Sequence, residues 1–283
     1  MKRLCRWIYI GLASATLSLP AFASEADSIK VEQLLREAAT LPADSCRTLF
    51  YARKLIGIPY VANTLDVHAE ETLVVHLDKA DCTTFVETVL ALVVTEKEGK
   101  QDFGSFKQTL QRIRYRNGKP EGYASRLHYF SDWIKENERK GLIKERTAES
   151  PLAQSYRLTL NFMTRHPDSY RQLKDNPQLI AEIVRIEQKW KDVPVFFIPK
   201  EKLDAPAEEL GIKNGDILAI TTNIQGLDVV HVGFACLVNG KVHLLHASSA
   251  QKKVILDPLP LFDYSKNKRT HKGIRKLRMK NEE

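Results

Sequence analysis

Fourteen residues, Asp81-Cys82-Thr83-Thr84-Phe85-Val86-Glu87-Thr88-Val89-Leu90-Ala91-Leu92-Val93-Val94, constrain this chain more than any other stretch. From Phe85 onward the run is apolar nearly all round. Such an element has no face for water, so it reads as a helix buried inside the fold. Asp81 is a residue type that caps helix N-termini, and Gly99 closes the element. Cys82 then falls in the first turn, where the positive end of the helix dipole favours a thiolate. The alternative reading of Cys82 is a small buried core residue.

Around this helix the pattern changes twice. Residues 28–40 carry Ile29, Val31, Leu34, Leu35 and Ala38 at helical spacing. Residues 46–56 form a second helical stretch, stopped by Gly57 and Pro59. Residues 72–77 are a short apolar run that reads as a strand or an extended approach. Residues 105–113, 125–138 and 177–190 read as helices within a polar, basic and aromatic region of roughly 100–195. From Gly215 the period switches to strands over 216–221, 229–238 and 241–246, with 254–256 and 273–277 as two more. Asn239-Gly240 is a strong hairpin signal. Helices first and an antiparallel sheet afterwards is an α+β plan. The 283 residues are 43% apolar, enough for a real core.

The N-terminus reads as a secretory leader. Lys2, Arg3 and Arg6 precede an apolar stretch over 8–19, and Ala21-Phe22-Ala23 is a small-x-small cleavage site. The stretch is too short for a membrane span, and no other segment reaches 18 apolar residues. The expected division is a signal peptide, 1–23, and one domain, 24–283, that keeps no stable membrane anchor. Losing three positive charges lowers the formal net charge from +8 to +5. That modest excess suits an anionic envelope polymer, and export argues against nucleic acid as a partner. The mature chain keeps Cys46, Cys82 and Cys236, an odd number, so at least one thiol is free. No CxxC or HExxH is present, and neither a metal nor a cofactor is expected.

Strand alternation pairs the histidines. His231, Gly233 and Ala235 share one face, while Val232, Phe234 and Cys236 share the other, which makes Cys236 core. Pairing about Asn239-Gly240 sets Val238 near Lys241, so His231 lies opposite Ser248 with His246 as its diagonal neighbour. A cysteine nucleophile needs a base, and the base needs an orienting partner. Cys82, His231 and His246 fill those roles in order.

Gly57-Ile58-Pro59-Tyr60, Asp81-Cys82-Thr83-Thr84-Phe85, Asn214-Gly215-Asp216-Ile217, His231-Val232-Gly233-Phe234 and His246-Ala247-Ser248 together resemble the NlpC-type papain-like cell-wall hydrolases. Ser125-Arg126-Leu127-His128-Tyr129-Phe130 with Trp133, Asn161-Phe162-Met163 with His166-Pro167, and Gly226-Leu227-Asp228 resemble the N-acetylmuramoyl-L-alanine-amidase-like subgroup (domain of unknown function 1460). The resemblance spans about residues 45–280. It implies a papain-like core with a helical specificity insertion at about 100–195, and peptidoglycan fragments as substrate. It implies Cys82 as nucleophile, His231 as base, His246 as third member and Tyr60 beside the scissile carbonyl. Val61-Ala62-Asn63 and Asp81-Cys82-Thr83-Thr84 depart from the superfamily's glycines and Asp-Cys-Ser-Gly. The interval between the histidines is also slightly long, which leaves Ser248 as a competitor for the third role.

On the expected helix over 125–138, Arg126, Tyr129 and Trp133 share a face. A sugar stacks on Trp or Tyr, and Arg grips a carboxylate; the alternative is a helix whose aromatics lie in the core. Arg126, His128, Tyr129, Trp133, Asp228 and Ser248 are therefore the candidate substrate-binding residues. The expected activity is an exported, periplasmic cysteine amidase cutting the N-acetylmuramoyl-L-alanine bond of small muropeptides, 1,6-anhydro sugars among them. A stem-peptide endopeptidase and a non-catalytic peptidoglycan-binding module are the alternatives.

Overall fold

The computed structural model describes residues 24–280, so the expected leader at 1–23 lies outside the described residues. Five helices come before any strand: α1 (Glu25–Ala39), α2 (Arg47–Lys54), α3 (Cys82–Lys97), α4 (Phe103–Arg114) and α5 (Phe130–Arg139). Then follow β1 (Ile143–Glu145), β2 (Gln154–Leu158), α6 (Phe162–Arg165), α7 (Pro177–Gln188), β3 (Val193–Pro199) and α8 (Ala207–Leu210). The chain continues with β4 (Ile217–Thr222), β5 (Val229–Val238), β6 (Lys241–Ser248), β7 (Lys253–Pro260), α9 (Leu261–Lys266) and β8 (His271–Met279).

The strands form one sheet in the order β2-β3-β8-β4-β5-β6-β7, with β1 also pairing β8. Every named pairing is antiparallel. The α+β plan therefore holds. Asn239 (φ 50°) and Gly240 (φ 77°) both take positive φ, as a twist-matched two-residue hairpin requires. The β5–β6 ladder runs from Val238↔Lys241 to Phe234↔Leu245, in the register the turn predicts.

α3 is the axis of the helical layer. Phe85 through Val93 are buried without a break, and they pack with Val31 and Leu35 of α1, Leu49 of α2 and Leu110 of α4. The same cluster includes Val232, Phe234 and Cys236 of β5, so the apolar face of β5 lies against α3. The opposite face, with Leu218, Ala235 and Leu244, is covered by α8, α9 and their flanking segments. Among the described residues none of Cys46, Cys82 and Cys236 forms a disulfide, and Cys236 is core.

Two expectations need correction. Residues 100–195 are not all helical: they hold β1, β2 and the start of β3, which extend the sheet. Pro194 and Pro199 hid β3, because proline lacks the N–H a ladder uses; here the strand pairs with β2 and touches β8 only at Ile198 and Pro199. The expected helix over 125–138 begins only at Phe130, after Arg126, Leu127, His128 and Tyr129 have run extended or irregular. Residues 72–77 form no named strand, and Val74 makes an isolated bridge along an extended approach.

Candidate active site

The head of α3 is locked by a reciprocal cap. The Asp81 carboxylate accepts the Thr84 N–H at 2.7 Å, and the Thr84 hydroxyl accepts the Asp81 N–H at 2.9 Å. Tyr60 is tied in just ahead of it: Val61 N–H donates to Ala80 O at 3.0 Å, and Tyr60 N–H donates to Lys252 O at 2.9 Å. The Cys82 side chain packs against the apolar cluster that includes Val232 of β5. Val232 directly follows His231, so β5 carries its histidine to the head of the helix. Burial pushes the Cys82 thiol up to about 11, Asp81 adds to the shift, and the nearby polar groups of Val232 and Thr83 oppose it. Enclosure thus outweighs the helix dipole, and the resting thiol is neutral.

His231 Nε2 lies 2.5 Å from His246 Nδ1, with the rings nearly perpendicular at 88°. His246 is fully buried, and its Nε2 lies 3.3 Å from Asp257 Oδ2. Burial, then repulsion from Lys268 and from any proton on His246 or His271, holds the His231 imidazole well below its usual value. Tyr264 of α9 packs edge-on against His246 and near His231. The site is thus a neutral thiol, two neutral imidazoles and a carboxylate, in sequence across α3, β5, β6 and β7.

Gly233 makes the histidine contact possible. A Cβ there would stand 2.8 Å from His246 Cβ and 2.9 Å from Leu245 O. Gly233→Ala is expected to push β6 from β5 at the histidines, costing about 1–3 kcal/mol by overpacking. It should lower kcat by about 10²-fold through misplacement alone. Steady-state kinetics on folded variant would show this, and an unchanged kcat would mean that the close approach does not set the geometry.

A cleft of about 430 Å³ opens beside the head of α3, lined by Asn63, Asp66, Thr83, Tyr123, Arg126 and Arg171 among others. Arg126 is 7% exposed, pairs with Asp66 and Glu71, and lies over the Tyr123 ring. Its charge is spent within the wall. Arg171 faces the same cleft with an exposed side chain, while its Nη2 donates to His68 O at 2.8 Å.

A family model described as N-acetylmuramoyl-L-alanine amidase-like (AmiA-like) matches residues 51–274, which takes in every residue of this site. The chain belongs to this family. An N-acetylmuramoyl-L-alanine amidase from Bacteroides uniformis is 43% identical, with 82% of this chain and 97% of that one covered and a TM-score of 0.77. A candidate xylanase from Bacteroides fragilis is 44% identical over 81% of this chain and 99% of that one, at a TM-score of 0.76. The Legionella pneumophila protein LPG0564, of the DUF1460 family model, is 25% identical over 90% of this chain and 95% of that one, at 0.69. No curated protein matches significantly.

In this AmiA-like chain the expected binding residues separate. Arg126 and His128 line the cleft. Trp133 does not: it is fully buried, stacked on Phe130 at 4.7 Å. Tyr129 is also buried, its hydroxyl donating to Glu187 at 2.7 Å and accepting from Met163 N–H at 2.8 Å. The helical face expected for Arg126, Tyr129 and Trp133 does not exist, because only Trp133 stands inside α5. Asp228 is buried and accepts the Ser131 and Val229 N–H groups. The Ser248 hydroxyl accepts the Gln251 N–H in a turn, so His246 holds the place beside His231. The strand expected from the sequence ends at 256 and so stops short of Asp257, which lies within β7. Ile255 pairs with His246, and a period of two carries Asp257 to the same side.

His128 has a structural consequence of its own. Its Nε2–H donates to Tyr123 O at 2.8 Å, and burial, then Arg126, pushes its imidazole down to about 3. The unfolded chain therefore binds a proton below about pH 6.5 that the folded chain refuses. The stability this contributes is complete above that pH and is lost as pH falls toward 3, at about 1.4 kcal/mol per pH unit. His128→Gln should lose about 2 kcal/mol less than the parent between pH 7 and 5 in urea unfolding. Equal losses would rule the residue out as an acid-sensitive lock.

Proposed function

We propose that this protein is an exported cysteine amidase that hydrolyses the bond between N-acetylmuramic acid and L-alanine in peptidoglycan fragments, 1,6-anhydro muropeptides among them. The observation that carries the reading is the 2.5 Å His231–His246 contact on the strand whose Val232 belongs to the cluster Cys82 packs against. A binding module needs no such set. Family membership and the Bacteroides uniformis relative supply the substrate class.

The chemistry follows from neutral resting groups. His231 takes the Cys82 proton as sulfur attacks the amide carbonyl. The Cys82 backbone N–H at the helix start and the Tyr60 hydroxyl are read as the donors that stabilise the oxyanion. His231 then protonates the leaving amine and activates water against the thioester. The N-terminal helices and the sheet from β4 onward are read as a papain-like NlpC-type core. Residues 100–195 form its specificity insertion, since they supply Arg126, His128 and Arg171 to the cleft. Ser24, the first residue after the proposed leader of 1–23, is the N-cap of α1. A periplasmic address follows for a cell with two membranes. A glycosidase would need two carboxyl groups flanking the scissile bond; in this cleft Asp66 and Glu87 are tied to Arg126 and Arg114, which disfavours that reading.

Mass spectrometry of defined muropeptides, with and without the anhydro ring, tests this. Cysteine-dependent release of free sugar and intact peptide is expected. A shortened stem peptide still on its sugar would replace the amidase by an endopeptidase.

A further inference from the structure

We propose that Asp257 is a positioning residue that sets the tautomers of both histidines and so makes His231 a base. The inference rests on the amidase reading for its consequence, and on hydrogen-bond logic for its content. Between His231 Nε2 and His246 Nδ1, 2.5 Å apart, one nitrogen carries a proton and the other a lone pair when both rings are neutral. Nothing within that pair decides which. The deciding contact is one step further out, where His246 Nε2 meets Asp257 Oδ2 at 3.3 Å.

An ionised carboxylate only accepts. It therefore requires Nε2–H on His246, which leaves His246 Nδ1 as a lone pair. That lone pair accepts Nε2–H from His231, and His231 Nδ1 is left bare. With Nε2 occupied, Nδ1 is the one ring nitrogen that can receive the Cys82 proton. When it does, the S–H bond breaks, Nδ1–H forms, and the His231 imidazolium keeps its Nε2–H on His246. No other proton moves. The reversed arrangement, with His246 protonated on Nδ1, would place the His231 proton on Nδ1 and leave no base for the thiol.

The surroundings oppose the charged state that follows, so the carboxylate also matters after transfer. From α9, Tyr264 packs on His246; Lys268 stands over the Tyr264 ring at 3.3 Å, and His271 of β8 packs beside Tyr264. From α3 comes Cys82. Lys268 disfavours positive charge on both histidines and His271 on His231, whereas Asp257 favours it on His246. Asp257 is itself fixed, its Oδ1 accepting the Leu259 N–H at 2.9 Å.

Asp257→Asn keeps an oxygen for Leu259 while presenting an NH₂ group to His246, and Asp257→Glu keeps the carboxylate. The kinetics are read on muropeptide, and the tautomers by nitrogen NMR of histidine-labelled protein, which needs no substrate. The parent should show His231 and His246 each protonated on Nε2 with Nδ1 bare. Asp257→Asn should lower kcat by about 10²–10⁴-fold with KM nearly unchanged, as tautomer errors do in other triads. Its histidine tautomers should change as well, and Asp257→Glu should recover most of the rate. A parent protonated on His246 Nδ1 overturns the proposal, even if no variant folds. So does an Asp257→Asn protein with unchanged kcat, or with reduced kcat and unchanged tautomers. A parent that turns over no muropeptide defeats the amidase reading instead, while the NMR result still decides the tautomers.

Discussion

Cys82→Ala is expected to lower kcat/KM for muropeptide hydrolysis by at least about 10³-fold, because only the electrostatic and binding contributions survive loss of a nucleophile. The same variant should stay within about 1 kcal/mol of the parent in urea unfolding. The physical reason lies in the cap. The Asp81–Thr84 box that starts α3 uses no atom of the Cys82 side chain. The side chain is also only partly buried and is not in the continuous run from Phe85 to Val93. Removing sulfur therefore deletes the proposed nucleophile but leaves the helix. Retained turnover in Cys82→Ala would sink the covalent mechanism. Loss of turnover together with unfolding would show that sulfur is structural.

The second large effect lies in the wall of the cleft. Arg114 of α4 donates to Glu87 of α3 at 2.7 Å and to Val74 O at 2.6 Å, and both charged side chains are almost fully buried. Burial pushes the Glu87 carboxyl up, and Arg114 holds it against that shift. Arg114→Met would strand a buried carboxyl and free the extended segment that leads to Cys82. A loss of about 3–5 kcal/mol is expected, as for other broken buried pairs, or roughly 6–20 °C in Tm for a chain of this size. Replacing both partners, Arg114→Met with Glu87→Leu, should restore much of the stability, since the cost is the uncompensated charge. If calorimetry finds the single variant as stable as the parent, the pair does not hold α3 to α4.

Charged residues such as these were the least legible. Glu87 sits in an apolar helix and Arg114 at the end of an amphipathic one, and no local pattern pairs them across 27 positions. The catalytic candidates were far more legible. Cys82 could be placed at a helix start because capping is local chemistry between Asp81 and Thr84. His231 and His246 could be set side by side because a two-residue turn fixes hairpin register. The substrate-facing residues were read less well. Arg126, Tyr129 and Trp133 were given a common helical face, yet the helix starts at Phe130 and turns Trp133 into the core.

The sequence by itself determined the α+β plan, the helix that carries Cys82, the strand faces and the histidine pairing. Each follows from interactions spanning a few residues, namely caps, turns and periodicity. Tertiary structure alone decided that enclosure keeps the Cys82 thiol neutral and that Arg126 is spent on Asp66 and Glu71. It also decided that Asp257 stands behind His246. Those outcomes depend on which distant groups share a low-dielectric neighbourhood. Desolvation and Coulomb terms are set by the completed packing rather than by any window of sequence.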